Sequence, residues 1–182
     1  LFVAAMLSPQ VRAEVVNACT PKLFAEYKTA KDYANANLKE FIEIIKSVSF
    51  SAVKTARIQK ACKILDENYG GKVPDTMEEL TKIPGIGRKT ANTILMNAFG
   101  KIYGIPIDTH VIRISYRLGW TKNKDPDKIE QDLMKVIPKD HWKKIAYQLK
   151  AHGRTICQAP VPYCSKCFLS NICPKNGVIK RY

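Results

Sequence analysis

Leu80-Thr81-Lys82-Ile83-Pro84-Gly85-Ile86-Gly87-Arg88-Lys89-Thr90-Ala91 joins two helical patterns through a turn that suits a phosphate. Upstream, Thr76 with Glu79 predicts a capping box that starts a short helix, and Pro84 ends its pattern before Gly85 and Gly87. Downstream, Ala91, Ile94, Leu95 and Ala98 recur at helical spacing over about residues 88–99, with Gly100 as the stop. Glycines without Cβ let a phosphate approach the backbone, and the opening N–H groups of the second helix carry the positive end of its dipole. Such a hairpin grips nucleic acid by its backbone and reads no sequence. A Gly-x-Gly pair alone is an ordinary turn, so the functional reading depends on what surrounds it.

The composition favours a polyanionic partner. Lys and Arg number 30 against 16 Asp and Glu, a formal net charge of +14 over 182 residues. A basic surface also serves solubility, so charge by itself does not decide for nucleic acid. Its distribution is more telling: residues 139–182 hold nine basic side chains and the single acid Asp140, which predicts that this end lies near phosphates. No run is long and apolar enough to cross a bilayer. Six cysteines are present; Cys19 and Cys62 sit alone in helical patterns as core fillers, while four crowd into residues 157–173.

The expected elements are all helical. Residues 1–7 read as the tail of an apolar helix ended near Ser8-Pro9, with Gln10 in the bend, and residues 11–18 as a second helix. Thr20-Pro21, a cap followed by a first-turn proline, predicts a third running to about Tyr27. Thr29 caps a short helix, and Asn37 with Glu40 caps the next, whose inward face is Leu38, Phe41, Ile42 and Ile45. Ser51 opens a longer one with Val53, Ala56, Ala61, Leu65 and Tyr69 inward and Gly70-Gly71 closing it. Past the hairpin come residues 108–118, ended by Gly119, then 126–137 and about 141–156. No segment alternates strictly enough for a strand. The domain boundary is expected within residues 101–106, giving a helical domain over 1–101 that contains the hairpin and a second over 102–182.

Two further stretches carry chemistry. Asp108-Thr109-His110 opens an apolar-periodic run, the ordinary position of an N-cap. A carboxylate at such a cap is also suited to stabilise positive charge that develops in a transition state. Cys157, Cys164, Cys167 and Cys173 give C-x6-C-x2-C-x5-C, a metal-site spacing that admits either zinc or an iron–sulfur cluster.

Together these stretches resemble the endonuclease III family of DNA repair glycosylases. The family's Leu-Pro-Gly-Val-Gly-Arg-Lys-Thr-Ala is matched from Ile83 to Ala91 with Ile83 and Ile86 as the only changes. Its Val-Asp-Thr-His-Val is matched by Ile107-Asp108-Thr109-His110-Val111, followed by Arg113, Arg117, Leu118 and Gly119, and its His-Gly-Arg-x-x-Cys by His152-Gly153-Arg154 and Cys157. The likeness covers nearly the whole chain. It implies an all-α fold of two helical domains flanking a DNA-binding cleft, and a [4Fe–4S] cluster on Cys157, Cys164, Cys167 and Cys173. It further implies an intracellular monomer acting on double-stranded DNA that contains a damaged base, an oxidised pyrimidine, or an abasic site.

The resemblance also assigns roles. The family's catalytic lysine falls on Lys89, which would face Asp108 across the cleft and be partly buried by it. Its amine would attack C1′ of a flipped nucleotide, expel the base and form a Schiff base that permits β-elimination of the 3′ phosphate. Gly85, Gly87 and Arg88 would hold the DNA backbone, and Lys166 would bring the cluster loop against it. Met6-Leu7-Ser8-Pro9-Gln10 resembles the family's Leu-Leu-Ser-x-Gln, whose glutamine enters the space left by the flipped base. Phe50 falls on an apolar wedge, normally Leu after Ile-Gly; here Ser49 replaces that glycine and Ser51-Ala52 replaces Tyr-Asn, changes that bear on the damage range and on the opposite base. Mismatch-specific relatives form a competing class, but they lack the lysine or carry an acid where this chain has Ala4. A hairpin module that only holds DNA would leave Lys89 and Asp108 unexplained. Because the chain begins with Leu1 inside an apolar helix, the resemblance also implies an upstream segment that packs against the cluster domain.

Overall fold

The computed structural model describes residues 1–182 as helices and turns with no strand. They form two compact units, Leu1–Lys101 and Ile102–Tyr182.

The first unit holds α1 (Phe2–Leu7), α2 (Ala13–Glu26), α3 (Ala30–Ala34), α4 (Leu38–Ile44), α5 (Ser51–Tyr69), α6 (Met77–Lys82) and α7 (Arg88–Ala98). Its core gathers Leu7, Leu23, Phe41, Ile45, Ile58, Leu80, Ile94 and Leu95, all essentially out of water. Each such side chain contributes about 1.5–3 kcal/mol on transfer from solvent. Tyr27, Tyr33 and Phe41 form a triangle with ring centroids 5.2, 5.4 and 5.9 Å apart. Thr29 and Asp32 make a reciprocal capping box for α3, and Asn37 accepts the N–H groups of Lys39 and Glu40 at the start of α4. Gly70 ends α5 in the left-handed region (φ 57°).

Three expectations change. The proline at residue 21 does not start a helix: α2 runs straight through it. Pro21 has no N–H for the carbonyl of Asn17, and the buried Thr20 hydroxyl donates to that carbonyl at 3.4 Å, offsetting part of the loss. On α4, Phe41 and Ile45 are buried but Leu38 is exposed. On α5 the inward stripe is rotated: Lys54, Thr55, Ile58, Ala61, Cys62 and Leu65 are buried, whereas Val53 is half exposed and Ala56 faces solvent. Reading apolar residues alone misplaced the stripe because two of its inward positions are polar.

The second unit holds α8 (Thr109–Arg117), α9 (Pro126–Val136) and α10 (Trp142–Thr155), with single 3₁₀ turns at Lys139–His141 and Cys164–Lys166. Ile105, Val111, Ile114, Ile129, Leu133, Trp142 and Leu149 are its core, and the Trp142 indole N–H donates to the Ile137 carbonyl at 2.8 Å. α8 packs directly on α10 where residue 153 is glycine. A Cβ there would stand 2.7 Å from His110 Nδ1 and 3.0 Å from both Arg113 Nη2 and Ile114 Cδ1.

Candidate functional site

In the first unit the hairpin between α6 and α7 is anchored by its two isoleucines, Ile83 and Ile86, which are buried. The N–H of Ile86 donates to the Ile83 carbonyl at 3.0 Å and closes the turn. Gly85 has φ +87°, a conformation that favours glycine, and a Cβ on it would press lightly on Met6 Cε at 3.2 Å. Gly87 differs: its φ is −87°, and open space surrounds the position of an added Cβ. It is the N-cap of α7 and supplies no side chain to that N-terminus, whereas Asp108 and Asp125 do so for α8 and α9. No acid occupies the first turn of α7; Arg88 and Lys89 stand there. The result is a positively charged helix N-terminus behind a bare glycine turn.

Lys89 is exposed rather than partly buried. Helical side chains lean toward the N-terminus, so in a first turn they project past the end of the helix into solvent.

Two other residues of this unit are presented outward on strained backbone. Gln10 and Phe50 have φ of 58° and 60°, and besides Lys175 they are the only non-glycine residues with positive φ. Gln10 is exposed, and Phe50 keeps 65 % of its surface in water, a poor position for an aromatic ring unless something is to receive it.

In the second unit Asp108 caps α8, its Oδ1 accepting the N–H groups of His110 at 2.8 Å and Val111 at 2.9 Å. The same helix reaches the cysteine loop through two arginines one turn apart. Arg113 donates to the carbonyls of Gly153 (2.9 Å) and Cys157 (3.0 Å). Arg117, buried, donates to Gln158 O at 2.8 Å and to Cys157 Sγ at 3.3 Å. Burial is the first cause that lowers the affinity of the His110 imidazole for a proton, with the Arg113 guanidinium, 3.1 Å from its Nδ1, acting in the same direction. The i, i+4 spacing of the arginines was visible in the sequence, but their partners lie 40 or more positions away and were not.

All four loop cysteines are free of disulfides and line one cavity with Ile114, Leu118, Ile156, Leu169 and Val178. Cys167 Sγ lies 3.6 Å from His152 Nε2, and Cys173 Sγ lies 3.4 Å from the Arg117 carbonyl. Four sulfurs on a single zinc would converge to about 2.3 Å from a common point. No three His, Cys, Asp or Glu side chains of the chain do so. Lys166 is exposed on this loop, its Nζ 5.6 Å over the Tyr163 ring, which stacks on Tyr182 with centroids 5.1 Å apart.

Comparison with known proteins agrees with this layout. Residues 3–139 match the family model described as HhH-GPD superfamily base excision DNA repair protein, which defines the class. An endonuclease III of Synechocystis is 45 % identical over 174 residues, covering 96 % of this chain and 80 % of that protein. An endonuclease III of Bacillus subtilis is 41 % identical, covering all of this chain and 85 % of its own. Among solved structures, a trapped endonuclease III–DNA covalent intermediate superposes with a TM-score of 0.90 at 39 % identity, covering 96 % of this chain and 82 % of that one. A thermostable thymine-DNA glycosylase shares the fold, with a TM-score of 0.85 at 22 % identity. The chain therefore belongs to the endonuclease III family within that superfamily, and it is a DNA glycosylase and abasic-site lyase.

Proposed function

We propose that this enzyme removes an oxidised pyrimidine from double-stranded DNA and cleaves the resulting abasic site by β-elimination, with Lys89 as the nucleophile. What carries the reading is the likeness to the endonuclease III trapped as a covalent intermediate with DNA, joined to the presence of Lys89 in the first turn of the hairpin's second helix. The hairpin amides, with Gly85 and Gly87 leaving room, and Arg88 hold the phosphates of the damaged strand. The nucleotide is turned out of the stack, and Gln10 and Phe50 fill the gap it leaves. The Lys89 amine lone pair then forms a bond to C1′ as the C1′–N bond breaks and the base leaves with the bonding pair. Asp108, whose carboxylate is held by two helix N–H groups, stabilises the positive charge that develops on the sugar as that bond lengthens. Ring opening gives the imine, and loss of a C2′ proton expels the 3′ phosphate.

The cysteine loop fits a [4Fe–4S] cluster held by Cys157, Cys164, Cys167 and Cys173. Four thiols around one largely apolar cavity fit a multi-atom group held by four cysteines. When bound, the cluster supplies a four-point link that fastens the basic loop, with Lys166 placed to meet phosphate.

Borohydride reduction in the presence of abasic-site DNA tests the nucleophile. Wild type should form a covalent adduct, and Lys89→Gln should lose it while still binding the duplex; undiminished trapping by the variant would remove Lys89 from the role. A panel of duplexes, each with one lesion, tests the substrate class. Release of oxidised pyrimidines ahead of alkylated purines and mismatched bases is expected, and the reverse order would overturn that assignment.

A further inference from the structure

Lys54 is among the most buried polar residues of the chain, 7 % exposed on α5, although lysine rarely leaves water without a counter-charge. Its Nζ donates to two backbone carbonyls, Leu7 O at 2.8 Å and Pro9 O at 2.7 Å, and burial pushes its ammonium below the usual lysine range. Those carbonyls end α1 and enter the bend that carries Gln10. The backbone N–H of the same residue donates to Phe50 O at 2.9 Å, closing the first turn of α5. One residue thus binds the two outward loops, each of which carries a strained, left-handed, exposed side chain. Conformations of that kind persist only where the surroundings hold them.

We propose that Lys54 is a positioning residue for nucleotide extrusion: it ties the Gln10 bend to the start of α5 and so sets the spacing at which Gln10 and Phe50 enter the duplex. The inference rests on the proposed roles of those two side chains. A lysine that merely filled the core would support all reactions of the enzyme equally. A lysine that sets this spacing matters only where a nucleotide has to be turned out of a double helix. Single-stranded abasic DNA presents its sugar without that step, so imine formation there is independent of the spacing.

The test compares rates of borohydride-trapped adduct formation on one abasic site placed in a duplex and in a single strand. Lys54→Met removes both donors and should slow the duplex reaction about tenfold or more relative to the single-strand reaction, as expected for a displacement of an ångström or so. Lys54→Arg keeps donors for both carbonyls and should restore most of the ratio. Combining Lys54→Met with Phe50→Ala should add little to the duplex loss of Phe50→Ala alone. Should Lys54→Met be insoluble, Lys54→Gln, whose amide is one bond shorter and uncharged, carries the same comparison. Equal slowing on both substrates, or no slowing, would overturn the proposal. Gln10→Ala and Phe50→Ala separate the two layers: if neither affects the duplex reaction, the roles of Gln10 and Phe50 fall. If they do and Lys54→Met does not, only the clamp falls.

Discussion

Asp108 joins an observed task, the cap of α8, to the proposed one of stabilising charge on the sugar. Its Oδ1 holds the first N–H groups of α8, and an N-cap of this kind contributes about 1 kcal/mol. Asparagine retains an acceptor oxygen for the same bonds, so Asp108→Asn keeps the cap and removes the charge. Base release measured under single-turnover conditions should slow by about two decades or more while duplex binding is retained, the size expected when a transition-state charge partner is lost. Unchanged release would leave Asp108 as a cap alone. The place of Lys89 in the first turn of α7 was readable because its motif is contiguous. Lys54 was not, since nothing local distinguishes a lysine on the inner face of α5 from one on the outer face until the carbonyls of Leu7 and Pro9, more than 40 positions away, come to meet it.

Among the elements, the contact of α8 with α10 has the least room. Replacing Gly153 by Ala would gain about 1 kcal/mol of helix propensity in isolation. The added Cβ, however, would press on His110 and Ile114 and on the Arg113 guanidinium, whose hydrogen bonds to Gly153 O and Cys157 O leave it little freedom to retreat. Overpacking should win: Gly153→Ala is expected to destabilise the protein by about 1–2 kcal/mol net, measured by urea unfolding. A gain in stability would show that the packing yields more easily than the hydrogen bonds imply. Helix ends were readable from caps at Thr29, Asn37, Thr76 and Asp108, because cap chemistry is local. Helix continuity through Pro21 was not. The same Thr-Pro pair that starts a helix elsewhere here sits inside one, with the hydroxyl of a buried threonine serving the carbonyl that proline cannot.

For the molecule as a whole, charge and the cysteine loop set what should be measured. With a net charge of +14, affinity for undamaged duplex should fall about tenfold or more between about 50 and about 200 mM salt, as two or more neutralised phosphates require. A flat salt dependence would mean that the basic excess does not meet DNA. Protein purified without oxygen should be brown and contain about four iron and about four acid-labile sulfide per chain, as one [4Fe–4S] cluster requires. Colourless, active protein with one zinc per chain would refute the cluster. Replacing Cys164 by Ser should loosen the loop and weaken DNA binding more than it slows the chemical step on bound substrate.

The sequence alone determined the helical class, the hairpin with Lys89 behind it, Asp108 as a cap, and four cysteines of metal-site spacing. Each of these is written within a short contiguous run, where periodicity, capping and turn chemistry act over a few residues. The tertiary structure alone decided which face of α5 is buried, why residue 153 is glycine, where Arg113 and Arg117 find their acceptors, and that no three of the metal-binding side chains converge on a single ion. Those features depend on groups that meet from distant parts of the chain. A contact between such groups leaves no local pattern in either partner, because each must satisfy only the other and not its own neighbours.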